Sequence, residues 1–194
     1  MARKFSEKEI SEIRAMLKEA ARKYASSIGM RKTTVDELCA YAGISKGAFY
    51  KFYDSKEAIF FEILEDWHTI IYGKVLDIIM NTEGVPDKER VYRALQFACR
   101  TLEEFSIINF YGNDVPLLLR RMPQEVLSDH YHSDEKHIAD LIEASGIKLK
   151  VSFELASAAI RTLILSFTDS NHIGPLYHQV MELFIRSVCA QIIE

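Results

Sequence analysis

Apolar residues recur along this chain at intervals of three and four, the period of helices that bury one face. Ile10, Ile13, Leu17, Ala21, Tyr24 and Ile28 form the first stripe. They predict a helix over 6–28 that Ser6 caps and Gly29 stops. Thr34 and Glu37 then show the Thr-x-x-Glu spacing of a capping box, and Leu38 and Ala42 share one face of the short helix that it starts. Gly43 suits the left-handed end of that helix, and Ser45 is a good N-cap for the next. The second short helix turns Ala48, Phe49 and Phe52 towards the first and leaves Lys46, Gly47, Tyr50 and Lys51 facing outwards.

Asp54 or Ser55 opens a long helix from Lys56 to about Met80, with Phe60, Leu64, Trp67, Ile71, Val75 and Ile78 along it. A turn signal with Gly84 and Pro86 follows. Val91, Leu95, Ala98, Leu102 and Phe105 predict a helix over 87–111, and the passage 115–131 is interrupted by Pro116 and Pro123. The polar stretch SDHYHSDEKH is expected as a solvated turn before a helix of about three turns through Ile138, Leu141 and Ile142. Two long helices, 151–171 and 175–193, close the chain around a hinge at Gly174 and Pro175. No strand-like alternation or fixed-period repeat interrupts this pattern, so the expected fold is all-α.

The two short helices joined by a glycine-containing turn are a helix-turn-helix pattern, whose second helix enters the DNA major groove. The other reading of its lysines is an ordinary helical corner in water. Charge distribution favours DNA. The chain carries -4 overall, yet residues 1–56 hold 12 Lys and Arg against 7 Asp and Glu, and the remainder holds 12 against 21. A basic head on an acidic body is the asymmetry of a small nucleic-acid reader. The arm with Arg3 and Lys4 is a further candidate for phosphate contact.

The stretch AGISKGAFYKFYDSKEAIFFEIL resembles the DNA-binding segment of TetR-type transcriptional regulators. Ala42, Gly43, Ser45, Gly47, Tyr50, Phe52, Ser55, Lys56 and Glu57 match the family pattern; Ile44 stands for a usual valine and Ala48 for a frequent threonine. The resemblance implies a three-helix helix-turn-helix head at 1–56 and a helical ligand-binding and dimerisation domain at 57–194. It places Thr33, Thr34, Ser45, Lys46, Gly47, Ala48, Tyr50, Lys51 and Lys56 at double-stranded DNA, with Tyr50 and Lys56 at phosphate. It also implies a repressor that meets a palindromic operator as a homodimer and is released by a small, largely apolar effector.

Candidate effector contacts are Trp67, Phe97, Arg100, Phe105 and Phe110. The last two helices are apolar around most of their circumference, so they need a second neighbour or a deep monomer core. Ala156, Ala159, Ile160, Leu163, Phe167, Tyr177, Met181, Phe184 and Val188 are the expected dimer residues.

Other chemistry is poorly supported. Asp129, His130, His132, Asp134, Glu135 and His137 are metal-ligand types, but their spacings match no familiar zinc arrangement, and no metal or cofactor is expected. There is no phosphate-binding loop or HExxH sequence, so an enzyme is not expected. An all-α enzyme or carrier without sequence-specific DNA binding is the alternative. Cys39, Cys99 and Cys189 lack redox or zinc spacing, which points to reduced core thiols. The charged opening MARKFSEKEI and the lack of a long apolar run lead to a cytoplasmic, membrane-free expectation.

Overall fold

The computed structural model describes residues 5–104, 107–166 and 174–194. Their secondary structure is helical: α1 (Glu7–Ala25), α2 (Val35–Ala42), α3 (Lys46–Phe49), α4 (Lys56–Asn81), α5 (Asp87–Glu104), α6 (Val115–Arg121), α7 (Gln124–Ser145), α8 (Phe153–Ser166) and α9 (Tyr177–Ile192). A π-helical turn, Phe110–Asp114, leads into α6, and a 3₁₀ turn, Gly174–Leu176, leads into α9. The fold is all-α, with a helix-turn-helix at the N-terminal end and a helical C-terminal part. An isolated antiparallel bridge pairs Leu149 with Ile193.

The chain forms two compact units. The first is Met1–Trp67 with Asn109–Pro123, and the second is His68–Ile108 with Gln124–Glu194. The segment 109–123 packs with the first unit because Phe110 and Leu118 are fully buried, Phe110 against Phe60 and Trp67 at ring separations of 6.0 and 5.5 Å. In the second unit, Tyr92 of α5 lies under the guanidinium of Arg186 of α9, 3.8 Å from the ring centre. Tyr177, Met181, Ile185 and Cys189 of α9 are buried, as are Ala156 and Leu163 of α8.

Several predicted boundaries move, among them the end of α5, at Glu104 rather than 111. Helix α1 ends at Ala25 rather than Ile28, because the N–H of Gly29 turns back to Tyr24 O at 2.8 Å with φ of 82°. Ile28 is left exposed. The larger correction concerns SDHYHSDEKH, which is not a turn: α7 runs unbroken through it. Neither Gly nor Pro occurs between Gln124 and Ser145, so nothing local stops the helix, and His130 and Ile138 are buried on it. The candidates Phe105 and Phe167, and the arm cations Arg3 and Lys4, lie outside the described residues.

Candidate nucleic-acid interface

The helix-turn-helix is built from local chemistry. Thr34 Oγ1 accepts from the N–H of Glu37 at 3.2 Å, and Glu37 Oε2 accepts from the N–H of Thr34 at 2.7 Å, closing both sides of the capping box. Those bonds, the backbone one first, hold the Glu37 carboxyl below its usual range. Gly43 ends α2 at φ 65°, a left-handed conformation that a side chain would disfavour. Ser45 then accepts from the N–H of Ala48 at 3.2 Å and starts α3. Leu38, Cys39 and Ala42 of α2 are buried, as are Phe49, Phe52 and Tyr53 after the turn.

Burying that side orients the other. Ser45, Lys46, Gly47, Tyr50 and Lys51 are exposed, and Ala48 is half-buried. Among the described residues, no atom beyond its own helix and chain neighbours lies within 4 Å of where a Cβ on Gly47 would sit, so packing there does not require glycine. Lys46 Nζ is 3.2 Å from Asp36 Oδ2 in an exposed pair. Lys51 Nζ stands 5.8 Å from the ring centre of Phe5, which itself rests on Phe52. Exposed pairs of this kind are worth little in water and exchange easily for phosphate.

Two expected DNA residues are turned inwards. Thr33 is 1% exposed, and its hydroxyl donates to Gly29 O at 2.8 Å. Lys56 places its ammonium on Met30 O at 2.8 Å and Thr33 O at 2.6 Å, spending two of its three protons on the turn before α2. Thr34 is exposed, with its hydroxyl engaged in the capping box.

The same turn is held from its other side. Asp114, only 3% exposed, accepts from the N–H of Met30 at 2.8 Å, and its carboxylate fills the space a Cβ on Gly29 would need, 2.8 Å away. Arg31, exposed beside Lys32, lies 3.8 Å from Asp114 Oδ1. Arg31 and Lys32 are cations that the motif reading passed over. Their position immediately before Thr33 and Thr34 was the available signal.

Among the effector candidates, Trp67 and Phe110 pack edge to face within the first unit, both buried. In the second unit, Phe97 is half-buried under Lys74 Nζ, 5.8 Å from its ring centre, and Arg100 is exposed. Among the expected dimer residues, Ala156, Leu163, Tyr177 and Met181 are buried within the chain itself, while Ala159, Ile160 and Val188 are half-buried and Phe184 is 49% exposed. Leu155, Leu165, Leu176 and Leu183, not singled out for that role, are the apolar residues left at 57–70% exposure. Among the described residues, no helix is long and apolar enough to cross a membrane.

The sequence profile of bacterial regulatory proteins of the tetR family matches residues 17–63, which contain the whole helix-turn-helix. An uncharacterized HTH-type transcriptional regulator of Bacillus subtilis, YdgC, is 28% identical over 128 residues, or 62% of this chain. The match spans 64% of YdgC, a little under two thirds of its length. Among solved structures, a TetR-family transcriptional regulator from Pectobacterium atrosepticum shares the fold with a TM-score of 0.65 at 18% identity, over 96% of this chain and 93% of its own. The transcriptional regulator FadR from Bacillus subtilis, solved in complex with stearoyl-CoA, aligns with a TM-score of 0.57 at 16% identity, over 91% and 95%.

Proposed function

Because the chain belongs to the TetR family of DNA-binding transcriptional regulators, we propose that it acts in the cytoplasm as a homodimeric repressor of genes next to a palindromic operator. Residues 1–56 form the DNA-reading head, and residues 57–194 pair the subunits and receive a small, largely apolar effector. The observation that carries this reading is the outer face of α3 and the turn that ends it, where Lys46, Gly47, Tyr50 and Lys51 are exposed while Phe49 is fully buried. An α-helix presented in this way fits the major groove, with cations at the phosphates and short side chains at the base edges.

Dimerisation is supported by the apolar surface that the chain does not cover for itself: Leu155, Leu165, Leu176, Leu183 and Phe184 on or beside α8 and α9. A two-fold pairing needs one self-complementary patch of this kind. An apolar effector is supported by the aromatic-rich middle of the sequence. FadR, which shares the fold, was solved in complex with stearoyl-CoA, a ligand with a long acyl chain. Helix α4 is continuous from Lys56, at the head, to Asn81. In this account it carries the effector's influence, moving two heads out of register with grooves about 34–36 Å apart.

The test is a mobility-shift titration against DNA flanking the protein's own coding region. The proposal expects one fragment to be preferred over competitor DNA, with an affinity that falls steeply as salt rises. Equal weak binding to every fragment would reject sequence-specific regulation.

A further inference from the structure

Helix α7 carries His130, Asp134 and His137 at intervals of four and three, one helical face, and that face meets His68 and Tyr72 of α4. The rings of His68 and His130 stack with centres 5.3 Å apart and planes 23° apart. Asp134 serves both: Oδ1 lies 3.2 Å from Nδ1 of His68, and Oδ2 lies 3.8 Å from Nε2 of His130. Beside them His137 stacks on Tyr72 at 4.8 Å, with its Nδ1 buried and without a hydrogen-bond partner. Side-chain exposures are 18% for His68, 4% for His130 and 15% for Asp134. His132 takes no part; its Nδ1 turns to Ser128 O of its own helix at 2.7 Å.

These distances are near those of a metal site. Donors bound at about 2.0–2.1 Å around a tetrahedral ion stand roughly 3.3 Å from one another. The two nitrogen–oxygen separations lie within about half an ångström of that value. A ring nitrogen of His68 and one of His130 are within 4.8 Å of each other. Two imidazoles and a carboxylate suit zinc, cobalt or nickel better than magnesium or calcium, which take all-oxygen sites.

We propose that His68, His130 and Asp134 bind one divalent transition-metal ion per chain and that the ion cross-links α4 to α7, with His137 as an adjacent imidazole. The cross-link matters because α4 is the helix that starts at Lys56.

The test uses full-length, tag-free protein stripped with a chelator and titrated with Co²⁺, followed by visible absorption and by competition with Zn²⁺. One Co²⁺ per chain, displaced by Zn²⁺, is expected for the wild type. His130→Ala and the nearly isosteric Asp134→Asn should each weaken binding by about 10-fold to 100-fold. His132→Ala should leave it unchanged. Circular dichroism identifies any variant that loses its helices, and Asp134→Asn then carries the comparison. The proposal is overturned if stripped wild-type protein takes up no cobalt, or if its affinity survives both His130→Ala and Asp134→Asn.

Discussion

The carboxylate of Asp114 accepts a 2.8 Å hydrogen bond from the backbone N–H of Met30, 84 residues away in sequence. Through that bond the π-helical turn before α6 grips the link between α1 and α2, while Lys56 grips the same link through the carbonyls of Met30 and Thr33. The link before α2 and α3, the helices proposed to read DNA, is therefore held by two side chains from outside them. Asp114→Ala leaves the N–H of Met30 buried without a partner, at a cost of about 1–3 kcal/mol. We expect a fall in Tm of roughly 2–4 °C for each kcal/mol in a chain of this size. A thermal melt of the variant checks this, and an unchanged Tm removes Asp114 from the grip.

Lys56 and Lys51 separate structure from recognition. The Lys56 ammonium is engaged inside the protein, whereas Lys51 is exposed in the turn that follows α3. Lys56→Ala should lower thermal stability by about 1–3 kcal/mol, since two half-buried carbonyls lose their donor. Lys51→Ala should leave the melt unchanged and flatten the salt dependence of DNA binding by roughly one counterion. Melts and binding isotherms at several salt concentrations distinguish the two. The reverse pattern would mean that Lys56 leaves its carbonyls to reach phosphate.

In the proposed complex Asp36 competes with DNA for Lys46, because the pair lies exposed at 3.2 Å. Removing the acid frees the cation and also removes a negative charge beside the duplex. Asp36→Asn should therefore tighten DNA binding at low salt, and the gain should shrink as salt screens the charges. Lys46→Ala should alter base preference at one operator position by about 1–3 kcal/mol if Lys46 reads a base. Anisotropy titrations on a set of single-base operator variants measure both. If neither substitution changes affinity or preference, the outer face of α3 is misassigned.

The local parts of this architecture were legible in the sequence. The Ser6 cap, the capping box at Thr34, the left-handed Gly43 and the Ser45 cap are decided by residues within four positions of each other, and each formed as expected; at Ser6 the structure adds Glu9, which completes a second capping box. What escaped was decided at a distance. The polar run at 128–137 looked like a turn because its histidines and acids read as solvated, yet His130 is buried beside Asp134, which also faces His68 of α4. Lys56 matched a phosphate-binding position, but its reach to the carbonyls of Met30 and Thr33 depends on how α1 and α2 are joined. Periodicity also found the apolar surfaces of α8 and α9 without telling inner from outer: Met181 is 5% exposed, and Phe184, three residues on, is 49% exposed.

That inner and outer division sharpens the proposal for the dimer. Leu183 and Phe184 lie on the exposed side of α9, and Met181 lies in the core. Leu183→Glu should yield a folded monomer, because in the monomer the charge stays in water. Met181→Glu should unfold the chain, because an unpaired charge would be buried. Sedimentation and circular dichroism read the two outcomes. A wild-type protein that stays monomeric at micromolar concentration would remove the dimer and the palindromic operator together.

The most direct test of the central claim is a footprint of the wild-type protein on the DNA flanking its own coding region, repeated with Tyr50→Ala and Lys51→Ala. Tyr50, the C-cap of α3, is 51% exposed and meets the buried Phe49 edge to face at 5.5 Å, so its melt is compared with that of the wild type. The account predicts two protected, inverted half-sites on one fragment, whose protection fades in both variants while their melts match the wild type. No discrete protected site, or one that both variants protect as strongly as the wild type, would contradict the assignment of α3 as the reading helix.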